Sequence, residues 1–275
     1  MKILLTGDKG FVGSHLRTAL TADGHSVLGI EADCRFDEWL GRFSKSKSWD
    51  YRLHRLDAVL HVGAISENQS ENPEIYLWNS YGTFVLSKFI KDRYSDRIPF
   101  IFFSSYLVES TENDWKSRSP YTWSKVQAEQ YVHTHLPHAT ILRPGVMWGD
   151  ERNKHPRYRS VPYQLATHTL EKLYRNWGRN YVHVRDVIAA VKNCLEFRHK
   201  GVWSMMGDAV WMNEDVAELV EWKGYEWADS DLKFKNDHLD KVKTPRIPGW
   251  GPQVQMQKEL PRIERILSQL PDPEG

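Results

Sequence analysis

The chain has 275 residues, of which 40% are hydrophobic, so it can bury a full core as one large domain or as a domain with a smaller lobe. Its 37 Lys and Arg residues are balanced by 36 Asp and Glu residues. This balance excludes a global charge that would draw the protein to nucleic acid or to an anionic membrane surface.

The N-terminus and the cysteines favour a cytoplasmic protein. The first residues, Met1 to Gly7, run directly into a strand and a glycine turn, which leaves no room for a signal peptide. No apolar run approaches the roughly 20 residues that a membrane helix needs. Cys34 and Cys194 lie far apart without a partner pattern, so we expect a reducing compartment and no disulfide framework.

Strands and helices are predicted to alternate over the first half of the chain. An apolar run at 2–6 is followed by a helix over 13–24, which ends at a glycine, and by a second strand at 25–30. The remaining segments are strands at 57–63, 98–104 and 139–143 and helices at 75–93 and 121–135. Strands that are apolar on both faces predict an α/β fold with a Rossmann-type, doubly wound parallel sheet.

The pattern changes after Pro144. A basic, aromatic stretch at 151–180 precedes a strand and helix at 181–196, and a helical tail begins near 254. We therefore expect a Rossmann domain over 1–145, to which 181–200 contributes. Residues 146–180 and 201–275 are expected to form a smaller C-terminal lobe that binds the substrate.

Three glycines follow the first strand and open the first helix. Gly7 permits a tight turn, Gly10 lets the backbone approach a pyrophosphate, and Gly13 lets the helix pack on the strand. This spacing predicts a dinucleotide-binding site at the N-terminus of the helix, where Phe11 and Val12 would also line the cofactor.

The end of the second strand bears on which dinucleotide is bound. Glu31 follows Gly13 by about 18 residues, where a carboxylate can bond the ribose hydroxyls and repel a 2′-phosphate. Arg35 could instead accept that phosphate, while Asp33 offers a second acid. NAD is the predicted cofactor, and NADP stays open as an alternative.

Tyr121 and Lys125 lie four residues apart at the start of a predicted helix, which places both on one face. We expect the ammonium to favour ionisation of the phenol, with the positive nicotinamide adding to the effect. Tyr121 would then act as a general base near neutral pH. Ser104 and Ser105 end the preceding strand and complete the predicted proton-transfer site.

These motifs resemble the extended short-chain dehydrogenase/reductases, specifically the NAD-dependent epimerase/dehydratase family that acts on nucleotide sugars. The resemblance spans nearly the whole chain. It rests on Gly7-x-x-Gly10-x-x-Gly13, His61-Val-Gly-Ala64, Asn79-Ser-Tyr-Gly-Thr83, Ser104-Ser105-x-x-Val108, Tyr121-x-x-x-Lys125, Arg143-Pro-Gly145 and Tyr181-Val-His-Val-Arg-Asp-Val187.

The resemblance implies a role for each matching residue. Tyr121 would take the proton of the sugar hydroxyl, Lys125 would also hold the nicotinamide ribose, and Ser105 would hydrogen-bond the sugar oxygen. Further cofactor-lining positions would be His61, Gly63, Ala64, Asn79, Ser104, Pro144 and Val146, with Asn79 also bracing the site.

Two basic residues are predicted on the substrate side. Arg179 matches the arginine that such enzymes use on the nucleotide diphosphate, and a guanidinium suits bidentate contact with phosphate. Lys154, in the basic loop 152–159, is similar to a lysine that ADP-heptose 6-epimerases use as a second base, displaced by one position. Nucleic acid is the open alternative ligand of this loop.

The resemblance therefore implies a cytoplasmic, NAD(P)-dependent nucleotide-sugar epimerase that works by transient oxidation of a sugar hydroxyl. Its substrate would be a nucleotide-diphosphate sugar, and two helices, one of them carrying Tyr121, could pair in a homodimer. The acidic pair that dehydratases carry after the catalytic serine or threonine is replaced by Tyr106 and Leu107. A keto-sugar reductase or dehydrogenase and a catalytically silent NAD-binding module are the alternatives.

A metal site is not expected. His133, His135 and His138 have no nearby cluster of carboxylates or cysteines, and Pro137 breaks the helix between them. We interpret these histidines as a solvated helix end.

Overall fold

The computed structural model describes residues 1–30, 53, 55–66, 72–94, 98–110, 119–152, 154, 159–229 and 242–267. Its strands are β1 Lys2–Thr6, β2 Ser26–Ile30, β3 Ala58–His61, β4 Phe100–Phe103, β5 Thr140–Pro144, β6 Val146–Trp148, β7 Lys172–Tyr174, β8 Gly178–His183, β9 Gly201–Met205, β10 Val210–Met212 and β11 Glu226–Ala228.

The helices alternate with these strands in the first half of the chain. They are α1 Phe11–Ala22, α2 Gly82–Tyr94, α3 Leu107–Ser110, α4 Pro120–His135, α5 Val161–Ala166, α6 Val184–Phe197, α7 Asn213–Glu218 and α8 Met256–Leu267. A π-helical turn, Tyr76–Tyr81, leads directly into α2.

Six parallel strands form the central sheet in the order β2-β1-β3-β4-β5-β9. The strand order reverses direction at β1, which is the arrangement that places a ligand at the carboxyl ends of the strands beside β1. The predicted α/β fold with a Rossmann-type, doubly wound parallel sheet is confirmed.

Apolar side chains cover both faces of this sheet. In β1, Ile3 and Leu5 point to the core shared with α1 and α6, and Leu4 points to the core shared with α2 and α4. All three are fully buried. Each such side chain contributes about 1.5–3 kcal/mol on leaving water, so the sheet is stabilised from both sides.

The start of α4 is fixed by local chemistry. The Ser119 hydroxyl accepts a hydrogen bond from the Thr122 N–H at 3.2 Å, and Pro120 occupies the first helical position, where its missing N–H costs nothing. The helix ends before Pro137. Tyr121 and Lys125 therefore lie in the first two turns, near the carboxyl ends of β4 and β5.

Smaller sheets form the second part of the molecule, with strand orders β10-β8-β6 and β11-β7. They share a core with α5, α7 and α8. Strand β9, which we expected in the smaller lobe, pairs instead with β5 in the central sheet, because its apolar side chains cover the end of that sheet. The division into a Rossmann domain and a substrate-binding lobe otherwise stays a prediction.

None of the helices in the described ranges is long and apolar enough to cross a membrane. Cys194 is buried in the core as a free thiol, and burial raises its pKa to about 12. Cys34 lies outside the described residues.

Candidate active site

The glycine turn between β1 and α1 is built on close backbone contacts. Gly7 has a φ of +72°, and a Cβ there would lie 2.6 Å from the Cα of Gly63. A Cβ on Gly13 would lie 1.9 Å from the Gly7 carbonyl oxygen, so only glycine lets α1 approach the turn this closely. Gly10 precedes α1, and no side chain caps this helix. Because backbone N–H groups and a positive dipole end meet here, the turn fits the pyrophosphate of a dinucleotide.

The turn also positions two other predicted cofactor residues. Phe11 and Val12 are buried at the start of α1, where their side chains join the core and their backbone forms the first helical turn. Gly63 lies directly beside the turn, since its N–H donates to the Thr6 carbonyl at 3.1 Å. Ala64 follows at the exposed rim. Glu31, Asp33 and Arg35 lie outside the described residues, so the predicted choice between NAD and NADP there stays a prediction.

A series of hydrogen bonds between uncharged groups, which we call the histidine chain, links this turn to α4. It consists of Thr6, His61, Thr83, Asn79 and Ser124. His61 Nδ1 lies 2.8 Å from the Thr6 hydroxyl, and His61 Nε2 lies 2.8 Å from the Thr83 hydroxyl. The Thr83 hydroxyl donates to the Asn79 carbonyl at 2.6 Å, and Asn79 Nδ2 donates to the Ser124 hydroxyl at 3.1 Å.

Burial sets the charge state of this chain. Burial, together with a smaller contribution from the charge of Lys125, lowers the pKa of His61 to about 3, so the imidazole is neutral near pH 7. Asn79 additionally clamps the loop after β3, because its side chain accepts from the Ile65 N–H at 2.8 Å and donates to the Ile65 carbonyl at 2.9 Å. The His61 and Asn79 side chains are thus held inside the protein by structural hydrogen bonds.

Ser105, Tyr121 and Lys125 come together where β4 ends and α4 begins. The Ser105 hydroxyl hydrogen-bonds the phenol of Tyr121 and accepts from the Leu107 N–H at 3.2 Å. Lys125 Nζ donates to the Phe103 carbonyl at 2.8 Å and lies 5.8 Å from the centre of the Tyr121 ring. The predicted single face of the helix brings these three side chains into one site.

The expected lowering of the Tyr121 pKa, to which a positive nicotinamide would contribute, stays a prediction. Burial raises the pKa of Tyr121 to about 12; the Ser105 hydrogen bond opposes this, and the neighbouring Tyr106 adds to it. Burial also lowers the pKa of Lys125 to about 7, against the pull of Glu129. Desolvation is the largest cause of both shifts, and the Lys125 ammonium donates to the Phe103 carbonyl and lies over the Tyr121 ring.

A second polar group, the arginine cluster, lies behind this site. It consists of Glu109, Glu129, Arg143 and Thr244. Arg143 Nη2 lies 2.7 Å from Glu129 Oε2, and its Nη1 lies 3.5 Å from Glu109 Oε2 and 3.1 Å from the Thr244 hydroxyl. The Thr244 N–H in turn donates to Glu109 Oε1 at 2.8 Å. The cluster ties α3, α4, β5 and the C-terminal segment together.

Ser104 belongs to this cluster rather than to the face of the site. Its buried hydroxyl donates to Glu129 Oε1, so the side chain that we predicted beside the cofactor is used in positioning α4. Pro144 ends β5 and its carbonyl accepts from the Tyr106 N–H at 3.2 Å. Val146 begins β6 and is half-buried.

Arg179 lies on the same side as the Ser105–Tyr121 pair. Its guanidinium carbon lies 4.3 Å above the Trp177 ring, and its Nη1 donates to the Gly178 carbonyl at 3.0 Å. Its charge lowers the pKa of Tyr106 against the larger effect of burial, and Tyr106 in turn acts on Tyr121. Sequence reasoning missed Tyr106 as the residue that connects these two parts of the site.

Lys154 lies elsewhere. Its Nζ is 3.3 Å from Glu151 Oε2 and 5.5 Å from the centre of the Phe11 ring, so the structure places it over the glycine turn. Glu151 is fully buried and accepts from the Ser160 N–H at 2.8 Å, and burial raises its pKa. No contact in the described part of the chain joins Lys154 to Ser105 or Tyr121.

The rest of the basic loop is only partly described. Arg152 pairs with Asp150 at 2.5 Å on the surface, and Arg159 stacks on Tyr163 at 5.3 Å. Residues 153 and 155–158 lie outside the described ranges. Among described residues, no three side chains of His, Cys, Asp or Glu form a group that could hold a metal ion, and His135 Nδ1 instead lies 2.8 Å from the Ser87 hydroxyl.

Similar proteins share this arrangement of elements. The chain is 22% identical over 233 residues to the epimerase family protein YfhF of Bacillus subtilis (strain 168). This alignment covers 71% of this chain and 70% of that protein. A UDP-glucose 4-epimerase of Thermus thermophilus, solved as a complex with NAD, superposes with a TM-score of 0.74 at 19% identity over 98% of this chain and 99% of that chain.

An ADP-L-glycero-D-manno-heptose-6-epimerase of Helicobacter pylori gives a TM-score of 0.74 at 17% identity over 98% and 96% of the two chains. At these identities the two structures show a common fold. Residues 3–204 match the model of the NAD dependent epimerase/dehydratase family, which is well over half of the chain. The resemblance carried by the motifs is thereby confirmed, and the protein belongs to the NAD dependent epimerase/dehydratase family.

Proposed function

We propose that the protein is a nucleotide-sugar epimerase that transiently oxidises a sugar hydroxyl with NAD. The observation that carries this proposal is the contact of the Ser105 hydroxyl with the Tyr121 phenol, with Lys125 on the same helical face beside the glycine turn. A phenol held by a hydroxyl at the edge of a dinucleotide fold is suited to exchange a proton with a bound alcohol.

The proposed roles follow from the positions of the side chains. The glycine turn and the start of α1 would hold the dinucleotide, which when bound supplies a hydride acceptor and, in its oxidised form, a positive ring that lowers the pKa of a nearby phenol. Tyr121 Oη would take the proton of the sugar hydroxyl and later return it. Ser105 would orient that hydroxyl, since its oxygen already contacts the phenol.

Lys125 would adjust the proton affinity of Tyr121. Its pKa of about 7 makes the ammonium and the amine accessible near neutral pH, and the ammonium favours the phenolate. Arg179 would bind the diphosphate of the substrate, because the Trp177 ring fixes one face of its guanidinium beside Tyr106. Tyr106 and Leu107 stand where dehydratases of this family carry acids, which supports epimerisation over elimination of water.

Lys154 would not transfer a proton to or from the sugar. Its ammonium is paired with Glu151 over Phe11, on the dinucleotide side of the site. A cytoplasmic location is proposed on the sequence pattern and the resemblance, and a homodimer on the resemblance alone. Helices α2 and α4, which we expected at the dimer interface, lie side by side, with the Ser87 hydroxyl of α2 2.8 Å from His135 Nδ1 of α4.

A net keto-sugar reductase is the second candidate, and one observation favours it. A phenol with a pKa of about 12 is protonated at neutral pH and is ready to donate its proton to a carbonyl oxygen. The two candidates differ in stoichiometry, since an epimerase returns the cofactor unchanged and a reductase consumes one NADH for each product molecule.

The test is to incubate the enzyme with NAD and a panel of UDP-, GDP-, ADP- and dTDP-sugars and to follow the products by NMR. Tyr121→Phe is expected to lower kcat by about 10²–10⁴, the usual contribution of a positioned acid or base. Tyr131→Phe is the matched control, because this phenol lies later on α4, edge-on to the Phe84 ring at 5.1 Å. Equal measurable rates for wild type and Tyr121→Phe would contradict the role of Tyr121, and a wild type that binds NAD but converts none of the sugars would be a silent dinucleotide-binding module.

A further inference from the structure

Asp8, inside the glycine turn, carries a carboxylate that the structure leaves half-satisfied. The residue is 3% exposed. Its Oδ2 forms an ion pair with Arg17 Nη1, whereas its Oδ1 is buried and has no hydrogen-bond partner among the residues described. A buried carboxylate oxygen without a donor is unfavourable, so it marks a place where a donor is expected to arrive from outside the chain.

The carboxylate lies against the end of β2. A Cβ on Gly29 would be 1.8 Å from Asp8 Oδ2 and 2.5 Å from Oδ1, so this strand position is free of a side chain where the carboxylate packs. The Gly7 N–H donates to the Ile30 carbonyl at 3.1 Å and fixes the turn to the same strand end. In dinucleotide-binding sheets, the adenosine ribose lies at this edge.

We propose that Asp8 Oδ1 accepts a hydrogen bond from a ribose hydroxyl of the adenosine half of the cofactor, and that Asp8 thereby selects NAD over NADP. The inference rests on the proposed function only in that the glycine turn holds a dinucleotide. Asp8 would then be a second acidic residue, besides Glu31, that contacts the ribose. It occupies one of the two variable positions between Gly7 and Gly10.

Charge gives this site its selectivity. A 2′-phosphate on the ribose would bring two negative charges toward the buried carboxylate, which repels them. Arg17 cannot compensate as it stands, because Asp8 already neutralises its guanidinium. The Arg17 side chain is 51% exposed, so it is free to reorient toward a 2′-phosphate once the carboxylate is removed.

The experiment measures dissociation constants of NAD and NADP for the full chain by calorimetry. The wild type is expected to bind NAD more tightly. Asp8→Asn keeps the shape and removes the charge, so NAD affinity should fall by about 3–10-fold and NADP affinity should rise, moving the ratio of the two constants by about tenfold or more. The gain in NADP affinity should disappear in Asp8→Asn/Arg17→Met and should shrink at high salt.

Gly29→Ala provides a second route to the same result. The added methyl group would collide with the carboxylate in the wild type, so NAD affinity should fall, whereas in an Asp8→Ala background the same methyl group should cost much less. Asp23→Asn is the matched control: it removes an ion pair of 2.5 Å with Lys192 at the far end of α1 and should leave both constants unchanged.

Each outcome decides the inference. An unchanged NAD-to-NADP ratio in a folded Asp8→Asn variant would overturn it and leave Asp8 as a structural partner of Arg17. A ratio that responds to Glu31→Gln alone would also overturn it. Wild-type protein that binds neither dinucleotide would overturn the proposed function itself, which is a separate result.

Discussion

The histidine chain and the arginine cluster contact the same stretch of α4, but the first holds it by hydrogen bonds between neutral groups and the second by ion pairs. The histidine chain runs from Thr6 to Ser124 through uncharged groups, each with a directional hydrogen bond. In the arginine cluster one cation lies between Glu109 and Glu129. The first side faces the glycine turn, where backbone geometry must be accurate. The second fixes the loop that carries Ser105. We conclude that the side at the glycine turn depends on shape and the loop that carries Ser105 depends on charge.

The largest effect is expected from Arg143→Met. The substitution leaves Glu109 and Glu129 buried without their cation, and breaking a buried pair from one side costs about 3–5 kcal/mol. Urea unfolding at neutral pH measures this change in the free energy of unfolding. Arg152→Met is the control, because its ion pair with Asp150 is exposed and should contribute about 0–1 kcal/mol. Equal losses in the two variants would contradict the view that the cluster holds the loop by charge.

The second-largest effect is expected from lowering the pH, which should weaken the contribution of His61 to the free energy of unfolding. The pKa of His61 is about 3 in the folded protein, and its ordinary value is 6.5. Between these two pH values His61 is protonated in the unfolded chain and neutral in the folded protein. The stabilisation is complete above pH 6.5 and is lost as the pH falls toward 3, at up to about 1.4 kcal/mol per pH unit.

His61→Gln removes this titration and leaves the carboxylates unchanged. The difference in unfolding free energy between wild type and His61→Gln should therefore fall by about 1–2 kcal/mol between pH 7 and pH 5. Unfolding curves at both pH values measure it. Parallel stability profiles of the two proteins would show that His61 is not held neutral.

Thr83→Val should give the smallest effect. The substitution keeps the shape and deletes the hydroxyl that meets both His61 Nε2 and the Asn79 carbonyl, which should cost about 1–2 kcal/mol. Thr18→Val is the control, since the Thr18 hydroxyl makes a comparable bond of 3.0 Å to the Ser14 carbonyl on an exposed helix face. A loss as large as that of Arg143→Met would remove the distinction between the two networks.

The sequence allowed the main sheet and the cofactor turn to be predicted because both depend on local patterns. Short apolar runs such as Phe100–Phe103, alternating with helical patterns, indicate buried strands, and Gly7 and Gly13 are required by close approach at fixed spacings. The four-residue spacing of Tyr121 and Lys125 likewise fixes a common helix face. These features need no knowledge of distant contacts.

Features that depend on distant contacts could not be predicted. Arg143 meets Glu109 and Thr244, which lie 34 and 101 residues away along the chain. The burial that raises the pKa of the Tyr121 phenol also could not be predicted, because burial follows from packing rather than from spacing. The position of Lys154 likewise depends on a packed partner, since the buried Glu151 pairs with its ammonium.

Glu109 is anchored by residues that the ribosome adds late. Lys243 and Thr244 donate their N–H groups to its carboxylate, and the adjoining backbone bonds β9 through the Ser204 N–H and the Pro245 carbonyl at 2.8 Å. A nascent chain that ends before these residues already contains the glycine turn, all six strands of the central sheet and Tyr121. The loop beside Ser105 is therefore completed only when this segment is in place, and so is the core behind the glycine turn, to which Ile247 and Trp250 belong.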